Sequence, residues 1–282
     1  MTFDSAVKKK LATRSKRTFI IFIFISGIFV GSVFTLLAIS LIPEPGEREL
    51  HHITPQALAP LRGKSSQRKD FWIETISDLP GPRIYILHNV VTLEEAAHLK
   101  SLGIIKGMEK ALIIPYGGKE LVASTTRTNT GAWLDFQQDE VVRKVERLLA
   151  DVTATEPEHG ENLQILHYEV SQQFKEHHDY FDPALDPPEN FEPGGNRMAT
   201  AVIYLQNADV GGETDFMKIG IKIKPDVGDA VLFYDLQPDG QIDNRTIHAG
   251  TPPVGGEKWV ATKWIHQRRY QGVERKERPV KV

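Results

Sequence analysis

The pattern of apolar and polar positions changes character several times along the chain. Residues 18–42, TFIIFIFISGIFVGSVFTLLAISLI, run for 25 positions without a charge. As a helix rising ~1.5 Å per residue they reach about 38 Å, enough to cross a bilayer with some tilt. Residues 43–70 mix polar residues, prolines and cations without a period and read as a stem. A folded domain is expected over 71–270, followed by a polar tail at 271–282. Inside it, Thr92-Leu-Glu-Glu95 has capping-box spacing ahead of AAHLKSLG, which predicts a helix start. Val141, Val142, Val145, Leu148 and Leu149 form an apolar stripe that predicts a second helix over 137–150. Both helices are expected to support a sheet. After residue 160 the pattern turns to short apolar or β-branched runs between Gly/Pro turns: LQILHYEV, RMATAVIYL, GIKIK, AVLFYDL and KWVATKWIH. That spacing predicts a sheet sandwich or a jelly-roll barrel. The segment 182–196, DPALDPPENFEPGGN, is too rich in proline for a regular element and is expected to be a mobile loop near the mouth.

Charge orients the apolar span. Lys8, Lys9, Lys10, Arg14, Lys16 and Arg17 precede it, and Glu44, Glu47 and Glu49 follow with only Arg48 opposing. The asymmetry keeps residues 1–17 cytosolic and predicts a single-pass type II signal anchor in the endoplasmic reticulum and/or Golgi membrane, with the C-terminal bulk lumenal. A cleaved signal peptide is the alternative. Its apolar region is ordinarily about 7–15 residues and ends in small residues, unlike LIPEPG. A net charge of −3 gives no global electrostatic case for nucleic acid. The absence of cysteine excludes a disulfide framework, a thiolate nucleophile and a thiolate metal site. Asn244-Arg245-Thr246 is a glycosylation sequon, in keeping with a lumenal glycoprotein, and sits four residues before His248.

The candidate chemistry lies late in the chain. His177 and Asp179 in KEHHDYF, with His248 in NRTIHAG, make a set of two imidazoles and one carboxylate that suits non-haem Fe(II) and leaves coordination positions open. If 177–179 is extended, His177 and Asp179 point to one side and His178 points away. Lys258, ten residues after His248, supplies a cation for the far carboxylate of an acid chelated to the metal. The His-x-Asp spacing alone is weak, because it arises readily by chance. On the last run Lys258, Val260, Thr262, Trp264 and His266 share one parity. Either this face lines a ligand-filled interior, or it faces solvent while Trp259, Ala261 and Ile265 fill the core with Lys263 at an edge. Period 2 does not choose between them.

The runs RTNTGAW (127–133), HGENLQILHYEVSQQFKEHHDYF (159–181), GGNRMATAVIYL (194–205), GGETDF (211–216), KPDVGDAVLFYDL (224–236) and IHAGTPPVGGEKWVATKWIH (247–266) resemble, in order, those of 2-oxoglutarate/Fe(II)-dependent prolyl 4-hydroxylases of the short, membrane-anchored plant and algal type. The resemblance spans about residues 71–270. It implies a mainly β fold with flanking helices (α+β), a double-stranded β-helix or jelly-roll barrel, preceded by an N-terminal transmembrane helix. It implies that His177, Asp179 and His248 bind Fe(2+), and that Lys258 pairs with the C5 carboxylate of 2-oxoglutarate with Tyr168 and Thr214 donating hydrogen bonds nearby. It places Lys258, Trp264 and His266 inside the barrel. Carried over as peptide-binding positions are Arg127, Asn129, Glu161, Arg197, Trp264 and His266, although Arg127 and Glu161 read equally as surface ion-pair residues. Two positions depart from the family pattern: Phe174 stands where a Tyr is usual, and Asn129 replaces a commoner Ser.

The implied reaction is hydroxylation of peptidyl proline to 4-hydroxyproline in proline-rich secretory proteins. It consumes O2 and 2-oxoglutarate and releases succinate and CO2, with L-ascorbate sustaining the iron. The alternatives are another oxygenase of the same type, such as a lysyl hydroxylase, or a non-catalytic membrane-anchored binding module. The chain has no room for a further peptide-binding domain, so no obligate disulfide-isomerase subunit is expected.

Overall fold

The computed structural model describes residues 70–270. The expected span at 18–42, the stem at 43–69 and the tail at 271–282 lie outside the described residues. Among the described residues no helix is long and apolar enough to cross a membrane.

The strands, in chain order, are β1 Trp72–Ser77, β2 Ile84–His88, β3 Glu109–Lys110, β4 Thr130–Trp133, β5 Gln164–Tyr168, β6 Phe174–His177, β7 Arg197–Gln206, β8 Val210–Gly211, β9 Thr214–Phe216, β10 Ile221–Ile223, β11 Ala230–Tyr234, β12 His248–Gly250, β13 Pro253–Gly255 and β14 Lys258–His266. An eight-stranded sheet runs in the order β1-β2-β11-β7-β14-β5-β4-β3, a four-stranded sheet runs β10-β9-β12-β6, and β8 pairs with β13. With two helices against fourteen strands the domain is mainly β, in a jelly-roll-like arrangement.

The helices are α1, Leu93–Lys106, and α2, Glu140–Thr153. The capping box is formed: the Glu95 N–H donates to Thr92 Oγ1 and the Thr92 N–H to Glu95 Oε2. α2 begins three residues later than its apolar stripe suggested, because Asp139 takes the N-cap and accepts from the Val142 N–H at 2.9 Å. α1 lies hard against the large sheet: a Cβ on Gly103 would meet Ile165 Cγ2 at 2.7 Å.

Period 2 on the central strands builds two cores, one on each face of the large sheet. Ala199, Ala201, Ile203 and Leu205 of β7, with Trp259, Ala261 and Ile265 of β14, pack with Leu99, Val142, Val145 and Leu149 of the helices. The opposite parity, Tyr204, Val231, Phe233 and Val260, packs with Phe216 and Ile223 of the small sheet. All nine residues of β14 are buried. Neither expected face of that strand is therefore at solvent, and Lys263 is not at an edge. It is 2% exposed and bonds Glu146 of α2 at 2.6 Å.

The proline-rich segment does contain a regular element, a single 3-10 turn at Pro188–Asn190. Its proline sits where a missing N–H costs nothing and a fixed φ helps. The segment is tied to the turn at 115–120, with the Gly117 N–H on Asp186 Oδ1 at 3.1 Å and a Lys119–Glu189 ion pair. Asn244 is exposed, whereas Thr246 of the sequon is buried with its hydroxyl on the Asp243 carbonyl at 2.8 Å.

Candidate active site

Strand pairing brings the histidines together. β12 and β6 are antiparallel neighbours with His248 directly opposite His177, and their rings lie 4.3 Å apart. β6 ends at His177, so Asp179 comes from the turn that follows and not from an extended i, i+2 pair. That turn is pinned by Asn196, which accepts from the Phe181 N–H at 2.8 Å and donates to the Phe181 carbonyl at 2.7 Å. His178 stacks on Tyr180 at 4.5 Å.

His177 Nε2 is 3.4 Å from Asp179 Oδ1, and His248 Nε2 is 3.7 Å from Asp179 Oδ2. One donor atom from each of the three lies within 4.8 Å of the others. Each Nδ1–H has its own acceptor, the Lys175 carbonyl at 2.8 Å and the Thr246 carbonyl at 3.0 Å, so both Nε2 lone pairs face the centre. Burial, reinforced by His177 and opposed by Asp179, pushes His248 down to about 3 and keeps it neutral. Burial acts to raise Asp179, but His248, His177 and Arg197 together hold it well below the usual carboxylate range. Two imidazole nitrogens turned inward and one carboxylate oxygen are the donor set an Fe(II) site needs, so the residues present fit that ion.

The triad opens into a cavity that Tyr168, Thr214, Lys258 and Trp264 also line. Lys258 lines the same cavity, 2% exposed and without a hydrogen-bond or ion-pair partner among the described residues. Burial pushes this amine down to about 7, with Glu213 opposing. Its Nζ lies 5.4 Å from the Tyr168 ring centroid and 4.9 Å from that of Tyr204. Tyr168 stands opposite Lys258 in the β5–β14 register. Thr214 shares a 2.8 Å hydrogen bond with the Tyr204 hydroxyl, which also reaches the Ile223 carbonyl at 3.2 Å. The single Tyr204 proton serves only one of these acceptors at a time. When it goes to Thr214, the Thr214 proton is free for a ligand. A buried unpaired ammonium beside two or three hydroxyls fits an acid whose remote carboxylate needs a partner. Sequence reasoning missed Tyr204, although it shares the parity of Thr200 and Val202 on the cavity-facing side of β7.

The expected peptide-binding residues divide. Arg127 and Trp264 line the cavity. Arg127 is no surface ion-pair residue: it is 6% exposed and donates to the Leu112 carbonyl and Gln164 Oε1, both at 3.0 Å. Glu161, Arg197, Asn129 and His266 stand behind that wall. Glu161, 3% exposed, accepts from Arg197 at 2.7 Å and bonds His266 at 3.1 Å. Burial acts to raise it, yet Arg197 and His266 bring it down to about 2. Arg197 lies 4.4 Å from the Trp264 ring and donates to the Asp179 carbonyl at 3.3 Å. Asn129 is fully buried, and its Oδ1 accepts from Arg127 Nε at 3.4 Å. His266 does not line the cavity: its ring nitrogens are taken by the Gly195 carbonyl at 3.0 Å and Glu161 Oε1 at 3.1 Å.

Comparison with known proteins fits this geometry. The profile of the 2OG-Fe(II) oxygenase superfamily matches residues 163–266, which hold the triad and Lys258. "Probable prolyl 4-hydroxylase 8" of Arabidopsis thaliana is 37% identical over 220 residues, 71% of this chain and 73% of that protein. "Probable prolyl 4-hydroxylase 10" of the same plant is 31% identical over 282 residues, 91% of this chain and 94% of that one. Among solved structures, the viral collagen prolyl hydroxylase of Paramecium Bursaria Chlorella virus-1, in its 2OG complex, superposes with a TM-score of 0.53 at 25% identity, covering 67% of this chain and 98% of that one. The chain belongs to the prolyl 4-hydroxylase family within the 2OG-Fe(II) oxygenases.

Proposed function

We propose that this prolyl hydroxylase converts peptidyl proline to 4-hydroxyproline in proline-rich secretory proteins, as a short, membrane-anchored enzyme whose catalytic domain faces the lumen of the endoplasmic reticulum or Golgi. The observation that carries the reaction is that one cavity is lined by both a His/Asp/His set and an unpaired buried lysine. The uncharged 18–42 stretch with six cations ahead of it supports the anchor.

In this reading His177, Asp179 and His248 hold Fe(II), which when bound supplies the oxidising chemistry that couples O2 and 2-oxoglutarate to C–H hydroxylation. The chain's own part is geometry and exclusion of water. The two Nδ1–H bonds hold the imidazoles in the ligating tautomer. Lys258 neutralises the C5 carboxylate, with Tyr168 and Thr214 as donors. Arg127 and Trp264 wall the peptide cleft. Glu161 and Arg197 fix Trp264 and the Asp179 turn from behind, with Asn129 and His266 bracing that layer. A polyproline II strand suits such a cleft, because it is preformed and exposes its carbonyls to donors. Ascorbate would serve as the reductant that keeps a bound Fe(II) ion in its working state.

The test incubates the protein with Fe(II), 2-oxoglutarate, ascorbate and parallel sets of proline-rich and lysine-containing peptides, read by mass spectrometry. The expected product is a proline residue oxidised at C4. Oxidation of lysine peptides with proline-rich ones untouched refutes the proposal.

A further inference from the structure

The two histidines that face the metal position are supported in different ways. His248 is 5% exposed and lies against Phe233 at 4.6 Å and Phe216 at 5.8 Å between ring centroids. Core packing fixes its plane. His177 sits at the open end of β6 with its side chain 15% exposed. Its ring stacks on Phe174, 3.5 Å between centroids with the planes 15° apart. The Arg127 guanidinium lies over the same phenyl ring, 4.7 Å from its centroid, and is itself anchored through Leu112 and Gln164. Backbone pairing keeps this chain of contacts in register, because Phe174 bridges to Arg127 on one side and pairs with Gly250 on the other.

A ring held only by one Nδ1–H bond still rocks about that bond, and at a rim position water competes for the bond. The Phe174 stack removes that freedom. We propose that Phe174 is a positioning residue of the metal centre: together with Arg127 it sets the plane of the His177 imidazole and thereby the affinity for a divalent ion. The inference rests on the reading that the triad is the iron site. It also gives a role to the departure from Tyr at this position, since stacking needs the ring and not the hydroxyl.

The experiment titrates Mn(II) alone into wild type, F174L, F174M, F174Y and H177A, reading free Mn(II) by electron paramagnetic resonance. The melting temperature of each metal-free protein is measured alongside. Partners that orient metal ligands are typically worth about 10- to 100-fold in metal affinity. F174L and F174M are expected to weaken Mn(II) binding by about that factor, and F174Y to stay near wild type. F174M offers an unbranched, flexible chain that fills irregular gaps without a ring, so it carries the test if F174L does not fold. Wild-type Mn(II) affinity in the ringless variants overturns the proposal, whatever their melting temperatures. Wild-type affinity in H177A instead overturns the triad assignment on which it rests.

Discussion

Strand β14 carries two buried lysines on opposite faces, and they differ in one respect. Lys263 and Lys258 are each 2% exposed. Lys263 points to the helix layer and meets Glu146 of α2 at 2.6 Å. Lys258 points to the cavity and meets aromatic rings, with no carboxylate in ion-pair range among the described residues. Burial lowers both amines, and Glu146 opposes the shift for Lys263. A buried charge with its partner in place belongs to the scaffold. A buried charge without one, lining a cavity, is poised for an anionic ligand. The same contrast separates the two faces of the whole sheet. The helix-facing side is closed by Ala, Ile, Leu and one ion pair, whereas the cavity side leaves Lys258, Trp264 Nε1 and the triad without such closure.

The largest effect is expected at the triad. Asp179→Ala removes the only anionic ligand and His248→Ala a neutral one. Either variant should abolish iron-dependent turnover while circular dichroism shows the fold retained, because the helix-side core is untouched and the small-sheet core loses only the His248 edge of Phe216 and Phe233. Full 2-oxoglutarate decarboxylation by both would remove the triad from the account.

On the other face of β14, Lys263→Ala should cost stability, about 3–5 kcal/mol by analogy with broken buried pairs, because Glu146 is left charged and buried. Glu146 is already pushed up by burial, with Lys263 as the main opposing influence. The double variant Lys263→Met/Glu146→Leu should recover most of the loss. Urea denaturation reads both, and a single variant as stable as wild type would contradict the scaffold role. Trp264→Ala should raise peptide KM by about 10-fold or more, the cost of a well-placed aromatic wall, with 2-oxoglutarate KM little changed. Equal rises in both constants would place Trp264 in the co-substrate pocket instead.

The smallest effect is a pH slope. Lys258 loses its proton near pH 7 when folded without ligand, against an ordinary lysine value of 10.5 in the unfolded chain. Between those values the unfolded state binds more protons, so stability of the ligand-free protein should rise with pH through that window. Lys258→Met should flatten this part of the profile, and an unchanged slope would assign it to another group. Affinity for 2-oxoglutarate should run the opposite way and weaken above about pH 7, since the ligand needs the ammonium form.

Much of this architecture was legible in the sequence because it rests on short-range rules. Thr92 and Glu95 announce α1, the stripe from Val141 to Leu149 announces α2, and period 2 marks β7, β11 and β14. Strands β1, β2 and β4 were not anticipated: they are short and flank the region where only helical patterns stand out. The burial of β14 on both faces was ambiguous because alternation describes one strand, while burial depends on the layers packed over it. For the same reason Lys263 reads as an edge residue until Glu146 is brought across from α2, 117 positions away. His177, Asp179 and His248 were conspicuous by residue type and spacing, yet the pairing of β6 with β12 assembles them. The burial of Glu161 and Arg197 behind Trp264 could not be foreseen, since their charges balance only in three dimensions, whereas His266 was expected inside and is buried in that same layer.

The contrast between the two lysines is tested most directly by calorimetric titration of 2-oxoglutarate into the Mn(II)-loaded wild type, Lys258→Met and Lys263→Met. Stranding the C5 carboxylate without its partner should cost binding about 3–5 kcal/mol, a loss of about two to almost four powers of ten in affinity. The account predicts that loss for Lys258→Met, with Mn(II) affinity unchanged and melting temperature no lower than wild type, and near-normal binding for folded Lys263→Met. Undiminished 2-oxoglutarate affinity in Lys258→Met would contradict it and require another cation to hold the co-substrate.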